Sequence, residues 1–264
     1  MRRTDRSAFE LSEMTWPEAK AAIARAECAI VPTGSFEQHA PYMTFTVDTA
    51  RAAGFARLLA ERLAPRVILA PAIPFGISYH HLGFPGTITL RHTTFHALVR
   101  DVIWSLKEHG IRQFLIVNGH GGNAPALEEL IVELRYDLDV KAAWTGPTAL
   151  ASGWSKANLT DNSGHCGQNE TSQAMFLAPE VVRPERIVRG TTKPYPYVNL
   201  KGSGGGVQYP YAWTEITENG ALGDATLATA ELGRGIAEAG LAKAAAFLVD
   251  FMDKNAALGA GPPA

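Results

Sequence analysis

Cysteine is nearly absent from this 264-residue chain, which holds only Cys28 and Cys166. Two cysteines cannot build a disulfide framework, so the core must stand without one, and a reducing cytoplasm is the expected compartment. An excess of one charge is missing too. With 24 Lys and Arg against 26 Asp and Glu, the formal net charge is -2. That leaves no electrostatic footprint for nucleic acid or an anionic membrane surface. No apolar run approaches the roughly 20 residues that span a bilayer. The basic start MRRTDRSAFELSEMTW has no apolar segment behind it, so a signal peptide is not expected. Neither an internal repeat nor an interdomain linker is visible. A chain that is 46% hydrophobic at this length can bury one large core, and a single domain over residues 1–264 is expected.

Helix and strand signals alternate along the chain. Thr15 opens a helix with Pro17 in its first turn, and CAIVPTG reads as a short buried strand ending at a glycine. DTARAAGFARLLAERLA has apolar residues at helical spacing, with Pro65 as its stop. RVILAPAIPFG, RQFLIVNGHGGN and VKAAWTG read as three further strands. Between them lie the helices TFHALVRDVIWSLKEHG, closed by Gly110, and APALEELIVELRYDL. The alternation predicts an α/β fold with a mostly parallel, doubly wound sheet. Next, NSGHCGQNETSQAMFLAPE predicts a helix that starts near Glu170. The stretch Gly190 to Gly223 is rich in Gly, Pro and Tyr and reads as a loop, either a lid or a subunit contact. Its Tyr195, Tyr197, Tyr209, Tyr211 and Trp213 are expected to pack, with lining a pocket as the alternative. Thr226 to Met252 predicts a last helix, with Ile236, Leu241, Ala244, Leu248 and Phe251 on one face, before a frayed tail NAALGAGPPA.

Potential metal ligands crowd the stretch after the first strand. Glu37 and His39 stand two apart, so an extended backbone can turn both to one side. A carboxylate beside an imidazole suits zinc or manganese. Asp48 could add one oxygen or bridge two ions, while a solvated loop is the plain alternative. In doubly wound sheets ligands sit outside the carboxyl ends of the strands. Glu37 and His39 follow the end of the first strand and His120 follows the end of the third, so all three belong on one sheet edge. For Glu170 the plain alternative is helix capping, because a carboxylate is favoured at a helix N-terminus.

Five blocks, PTGSFEQHAPYMTFTVDTARA, GISYHHLGFPGTITL, IVNGHGGN, GHCGQNETSQAMFLAPE and GALGDATLATAELGRG, together resemble the creatininase (creatinine amidohydrolase) family. The resemblance implies a three-layer α/β/α sandwich, often hexameric, that hydrolyses C–N bonds with two divalent ions (Zn, Mn or Fe). Family members act on creatinine, on a formamide of flavin and deazaflavin biosynthesis, and on the mycofactocin precursor peptide. Carried over by motif, Glu37, His39, Asp48 and His120 match metal ligands, with Asp48 bridging. His165 and Glu170 match the catalytic segment HxxxxE. Creatininase proper reads NGHYEN where this chain has NGHGGN, so an aromatic substrate contact and a metal-binding glutamate become Gly121 and Gly122. Creatinine itself is therefore not the expected substrate, and Glu170 is expected to supply the missing carboxylate. His165 is then the expected proton shuttle.

Ser78, His81, Gly121 and Gly122 are the candidate substrate contacts, with loop packing as the alternative for His81. Cys166 stands where a small residue such as alanine is expected, and no oxyanion pattern supports it as a nucleophile. The expected function is metal-dependent hydrolysis of a non-peptide C–N bond in a small cyclic amide, a formamide or a related molecule, by a homohexamer. The alternatives are a metallopeptidase of the mycofactocin-precursor type and a non-catalytic metal-binding subunit.

Overall fold

In the computed structural model, residues 8–161, 164–201 and 204–256 are described. The first residues of the basic start (1–7) and the tail from 257 onward lie outside the described residues. Among the described residues, no helix is long and apolar enough to cross a membrane.

Helix α1 (Trp16–Ile23) begins where the sequence predicts: the Glu18 carboxylate accepts from the Thr15 backbone N–H at 2.7 Å, and Pro17 sits in the first turn. Strand β1 (Cys28–Thr33) is buried at all six positions, as a parallel strand covered on both faces must be. Helix α2 (Val47–Leu63) follows, then β2 (Val67–Leu69), α3 (His92–Glu108), β3 (Gln113–Asn118), α4 (Ala124–Asp137) and β4 (Lys141–Thr145). The strand read through RVILAPAIPFG is cut to three residues, because Pro71 and Pro74 have no N–H to give a ladder.

The four strands are parallel in the order β2-β1-β3-β4. Successive strand residues point to opposite faces. Ala29, Val31, Ile68, Phe114 and Ile116 pack on one side against Phe95, Val99 and Ile103 of α3 and Leu127 and Leu130 of α4. Ile30, Val67, Leu69, Leu115 and Val117 pack on the other against Phe55 and Leu59 of α2 and Leu241 and Leu248 of the last helix. This is the expected three-layer α/β/α sandwich.

Beyond β4 come two short helices that the sequence patterns do not announce, α5 (Pro147–Leu150) and α6 (Ser152–Asn158). Then follow α7 (Gln168–Leu177), α8 (Trp213–Ile216) and α9 (Ala230–Asn255). The last helix starts at Ala230 rather than Thr226. The Thr229 hydroxyl caps it by accepting from Leu232 N–H at 3.1 Å, and Ala225–Leu227 form a separate 3-10 turn. Its predicted face is buried at Ile236, Leu241, Ala244 and Leu248, with Phe251 partly covered.

Helix α9 holds α7 in place, and α7 carries Glu170. The two approach so closely that a Cβ at Gly233 would run into the Ser172 carbonyl oxygen. Gly233→Ala is therefore expected to destabilise the fold by about 1–3 kcal/mol through overpacking. An unchanged urea midpoint in that variant would contradict this packing.

Candidate metal centre

Pairing of Thr33 with Asn118 sets the carboxyl ends of β1 and β3 side by side. The segment after β1 delivers Glu37 and His39, the first turn of α2 delivers Asp48, and the turn after β3 delivers His120. All four are buried, at 1%, 1%, 1% and 4% exposure. From the far side, the loop before α7 brings His165 and the first turn of α7 brings Glu170. Glu37, His39 and His120, expected on one sheet edge, do converge there, and Asp48, His165 and Glu170 come to the same place, with several subsets close enough together to share an ion.

Hydrogen bonds assign the imidazole tautomers. His120 Nε2 lies 2.9 Å from the Ile77 carbonyl oxygen, so it must donate there. Its Nδ1 lone pair then faces Asp48 Oδ2 at 3.2 Å and Glu37 Oε1 at 3.3 Å. His39 repeats the pattern with its nitrogens exchanged. Nδ1 donates to the Glu37 carbonyl at 3.1 Å, and Nε2 faces Asp48 Oδ1 at 3.3 Å and Glu170 Oε2 at 3.8 Å. That buried Nε2 has no hydrogen-bond partner. A lone pair aimed at a carboxylate is repulsive unless a proton or a metal ion lies between them. The two oxygens of Asp48 face different histidines, which is the arrangement a bridging carboxylate needs. The donor set of imidazole nitrogen and carboxylate oxygen therefore fits divalent transition-metal ions.

Each carboxylate is also held from behind. Ser78 Oγ donates to Glu37 Oε2 at 2.7 Å, and Ser35 Oγ donates to Asp48 Oδ2 at 2.6 Å. Ser78 is fully buried and does not line the cleft, so the structure places it behind the carboxylate rather than as the expected substrate contact. Glu170 accepts from Arg51 Nη2 at 2.6 Å and from the Cys166 N–H at 2.7 Å. It thus braces the loop before α7, as the capping alternative requires, while its Oε2 still borders His39.

A second network orients His165. The Ala40 N–H donates to Gln38 Oε1 at 2.9 Å, which fixes the amide. The Gln38 NH₂ group then donates to the Gly220 carbonyl at 3.1 Å and to His81 Nδ1 at 2.9 Å. His165 Nε2 lies 3.0 Å from both the Gln38 backbone carbonyl and the Gln38 amide nitrogen; with both amide hydrogens engaged by Gly220 and His81, it donates to the carbonyl. Its Nδ1 is left as a lone pair, 3.8 Å from both Glu37 Oε1 and Glu170 Oε2. His81 is an interior partner, with Nε2 3.4 Å from Glu37 Oε1, and is almost fully buried.

Electrostatics divide the histidines. Burial disfavours charge on His39, but Asp48 outweighs it and raises the pKa to about 9. Burial is likewise outweighed at His120, by Glu37, and its pKa lies well above the ordinary value. For His165 burial prevails, with His39 adding to it, and the pKa falls. Burial also prevails at His81, down to about 2, and at His80, down to about 4. Burial of Asp48 is overcome by His39, and burial of Glu37 by His120, so both carboxylates are held below their usual range. At Cys166, burial and the neighbouring carboxylates push the thiol well above its ordinary value, against a nucleophilic role.

The centre opens into a cleft of about 1140 Å³ bordered by Gly121, Gly122, Tyr79, Trp144, Tyr211 and Trp213. A Cβ at Gly122 would run into both the Ile77 carbonyl and His120 Nε2, the pair whose hydrogen bond sets the His120 tautomer. The glycine is thus part of the metal centre's construction. Trp213, expected to serve packing, stands tilted against His81 at 4.8 Å and edge-on to His165 at 5.5 Å, while its Nε1 donates to the Gly220 carbonyl at 3.1 Å. Tyr195 and Tyr197 support the lining Tyr211 and Tyr209 from outside.

Sequence reasoning missed Arg51 and Gln38, and for Trp213 the pocket-lining alternative is the one the structure favours. Only Arg51 left a signal: a charged residue within the apolar stripe of α2, one turn after Asp48.

Comparison with known proteins agrees with this geometry. A family profile described as creatinine amidohydrolase (creatininase) matches residues 12–248. The chain is 33% identical over 211 residues to the mycofactocin precursor peptide peptidase of Mycolicibacterium smegmatis, covering 78% of each protein. It is 29% identical over 197 residues to creatinine amidohydrolase of Pseudomonas putida, covering 67% of this chain and 75% of that one. Among solved structures, a manganese form of creatininase superposes with a TM-score of 0.76 at 25% identity, over 92% of this chain and 98% of that one.

The raised pKa of His39 gives a signed pH dependence. Without metal, its pairing with Asp48 stabilises the fold fully below the ordinary value of 6.5 and is lost as pH rises through about 9. At pH 7 both His39 and His120 hold protons that a ligated ion must displace. Zinc titrated into chelator-treated protein, in buffers of differing ionisation enthalpy, should release about two protons per chain. Binding without proton release would contradict the arrangement.

Proposed function

The chain belongs to the creatininase family, and we propose that it hydrolyses an amide C–N bond with two divalent ions, Zn, Mn or Fe, held in this nest. The observation that carries the reading is the pair of imidazole lone pairs turned toward the two oxygens of Asp48. Glu37, Asp48 and His120 would hold one ion, and His39, Asp48 and Glu170 the other. When bound, such ions supply Lewis acidity toward a carbonyl oxygen and toward water.

The remaining chemistry belongs to the chain's own residues. His165 is neutral near pH 7, and its Nδ1 points between Glu37 and Glu170, so it can take a proton from the attacking water and return it to the leaving nitrogen. Gln38 keeps it from rotating. Trp213 and Tyr211 wall the cleft beside the centre. An intact ligand set together with an oriented base argues against a non-catalytic subunit.

The cleft bears on the substrate. Pockets for small ligands occupy about 300–1,000 Å³. A cleft of about 1140 Å³ exceeds what a small cyclic amide or formamide needs. Together with the likeness to a peptide peptidase, this favours the metallopeptidase alternative over the non-peptide amide: the scissile bond lies in a peptide or peptide-like molecule. Assembly as a homohexamer in the cytoplasm completes the reading. Tyr197, Val198 and Val207, which project from the Gly/Tyr-rich loop at 58%, 84% and 55% exposure, offer apolar surface for a subunit contact.

Metal content and turnover, measured on a panel of peptides, formamides and creatinine, separate the roles. His165→Ala is expected to keep both ions and lose about 10²–10⁴ in rate. Glu170→Gln is expected to drop one ion along with activity. The reverse pattern would refute both assignments, and a creatinine kcat/KM of about 10⁴ M⁻¹s⁻¹ or more would refute the peptide substrate.

A further inference from the structure

Arg51 lies one turn beyond Asp48 on α2 and is only 3% exposed. Its Nη2 donates to Glu170 Oε1 at 2.6 Å, to the Gly119 carbonyl at 3.0 Å and to Asp48 Oδ1 at 3.2 Å, and its Nη1 donates to Gln173 Oε1 at 3.3 Å. One buried guanidinium therefore spans two carboxylates of the metal nest. Glu37, Asp48 and Glu170 bring three negative charges, and Arg51 cancels one. Two remain, which is the charge of one divalent ion. The carboxylates Arg51 already holds are those of the His39 side, whereas Glu37 on the His120 side makes no contact with it.

We propose that Arg51 is a built-in counter-cation. It keeps the metal-free nest folded and weakens the ion at His39, Asp48 and Glu170 relative to the ion at Glu37, Asp48 and His120. The inference rests on the metal-centre reading above. Glu37, Asp48 and Glu170 repel one another at low effective dielectric, Arg51 offsets part of that repulsion on the His39 side, and removing one partner of a buried pair strands the other. A fixed positive charge beside an ion's own ligands opposes that ion by the same Coulomb argument. The role differs from that of a group that merely orients a ligand. Loss of an orienting group typically weakens metal binding by about 10–100-fold, whereas loss of a counter-cation tightens it.

Zinc and manganese titrations of chelator-treated protein, with thermal unfolding before and after loading, make the test. Two ions are expected in the native protein, the second weaker by about tenfold or more. Arg51→Met, which fills the space without charge, should melt lower when metal-free, gain more in Tm on loading than the native protein, and bind the second ion about tenfold or more tighter. Arg51→Lys, which keeps the charge, should stay near native in both. A second ion bound equally or more weakly in Arg51→Met would overturn the proposal. An equal Tm loss with and without metal would overturn it too, since that marks a packing role. If Arg51→Met does not fold, two ions of equal affinity in the native protein would overturn the proposal by themselves. Failure of the native protein to bind any ion would instead remove the metal-centre reading, a distinguishable result.

Discussion

The structure turns on a repulsion. Three carboxylates and two imidazole nitrogens converge in a space that water hardly reaches, and each nitrogen–oxygen contact needs a proton or a metal ion between the two atoms. His39 Nε2 stays without a hydrogen-bond partner, and both oxygens of Asp48 face nitrogen lone pairs. Burying such a group is costly unless cations enter, as protons or as metal ions. The raised pKa of His39 and the Arg51 guanidinium are two ways in which the metal-free chain meets that demand. Bound ions are a third, and the one on which the proposed hydrolysis rests.

The sandwich fold supplies the rigidity this needs. Parallel strands buried on both faces cannot shift without exposing a core, and the nest is built where two neighbouring strands end. Most of its groups are braced from behind: Ser78 behind Glu37, Ser35 behind Asp48, Ile77 behind His120, Gln38 behind His165. Such backing is what holds ligands and a base near a productive geometry without substrate present. The aromatic wall, by contrast, is assembled from several elements: Tyr211 from the loop before α8, Trp213 from the start of α8 and Trp144 from β4.

Much of this was legible in the sequence because it depends on local rules. Alternating strand and helix signals gave the parallel sheet, and the strand-end rule put Glu37, His39 and His120 on one edge. What escaped depends on contacts between distant segments. Gln38 meets His165 and Gly220 only after folding, and nothing in its neighbourhood separates it from a solvated glutamine. Ser78 is a candidate substrate contact from its motif alone, yet its hydroxyl turns inward to Glu37. Gly122 reads as the loss of a carboxylate, while the structure adds a positive reason, the close approach of Ile77 to His120. The short helices α5 and α6 carry too few turns for a periodic signal to emerge.

Anomalous X-ray diffraction from crystals of the metal-loaded protein, collected on both sides of the absorption edge of the bound metal, tests the central claim most directly. The account predicts two peaks bridged by Asp48, with ligand bonds of about 2.0–2.2 Å. One peak should lie against Glu37 and His120 Nδ1 and the other against His39 Nε2 and Glu170. A loaded protein with no peak in the nest, or with Asp48 bound to neither ion, would contradict it.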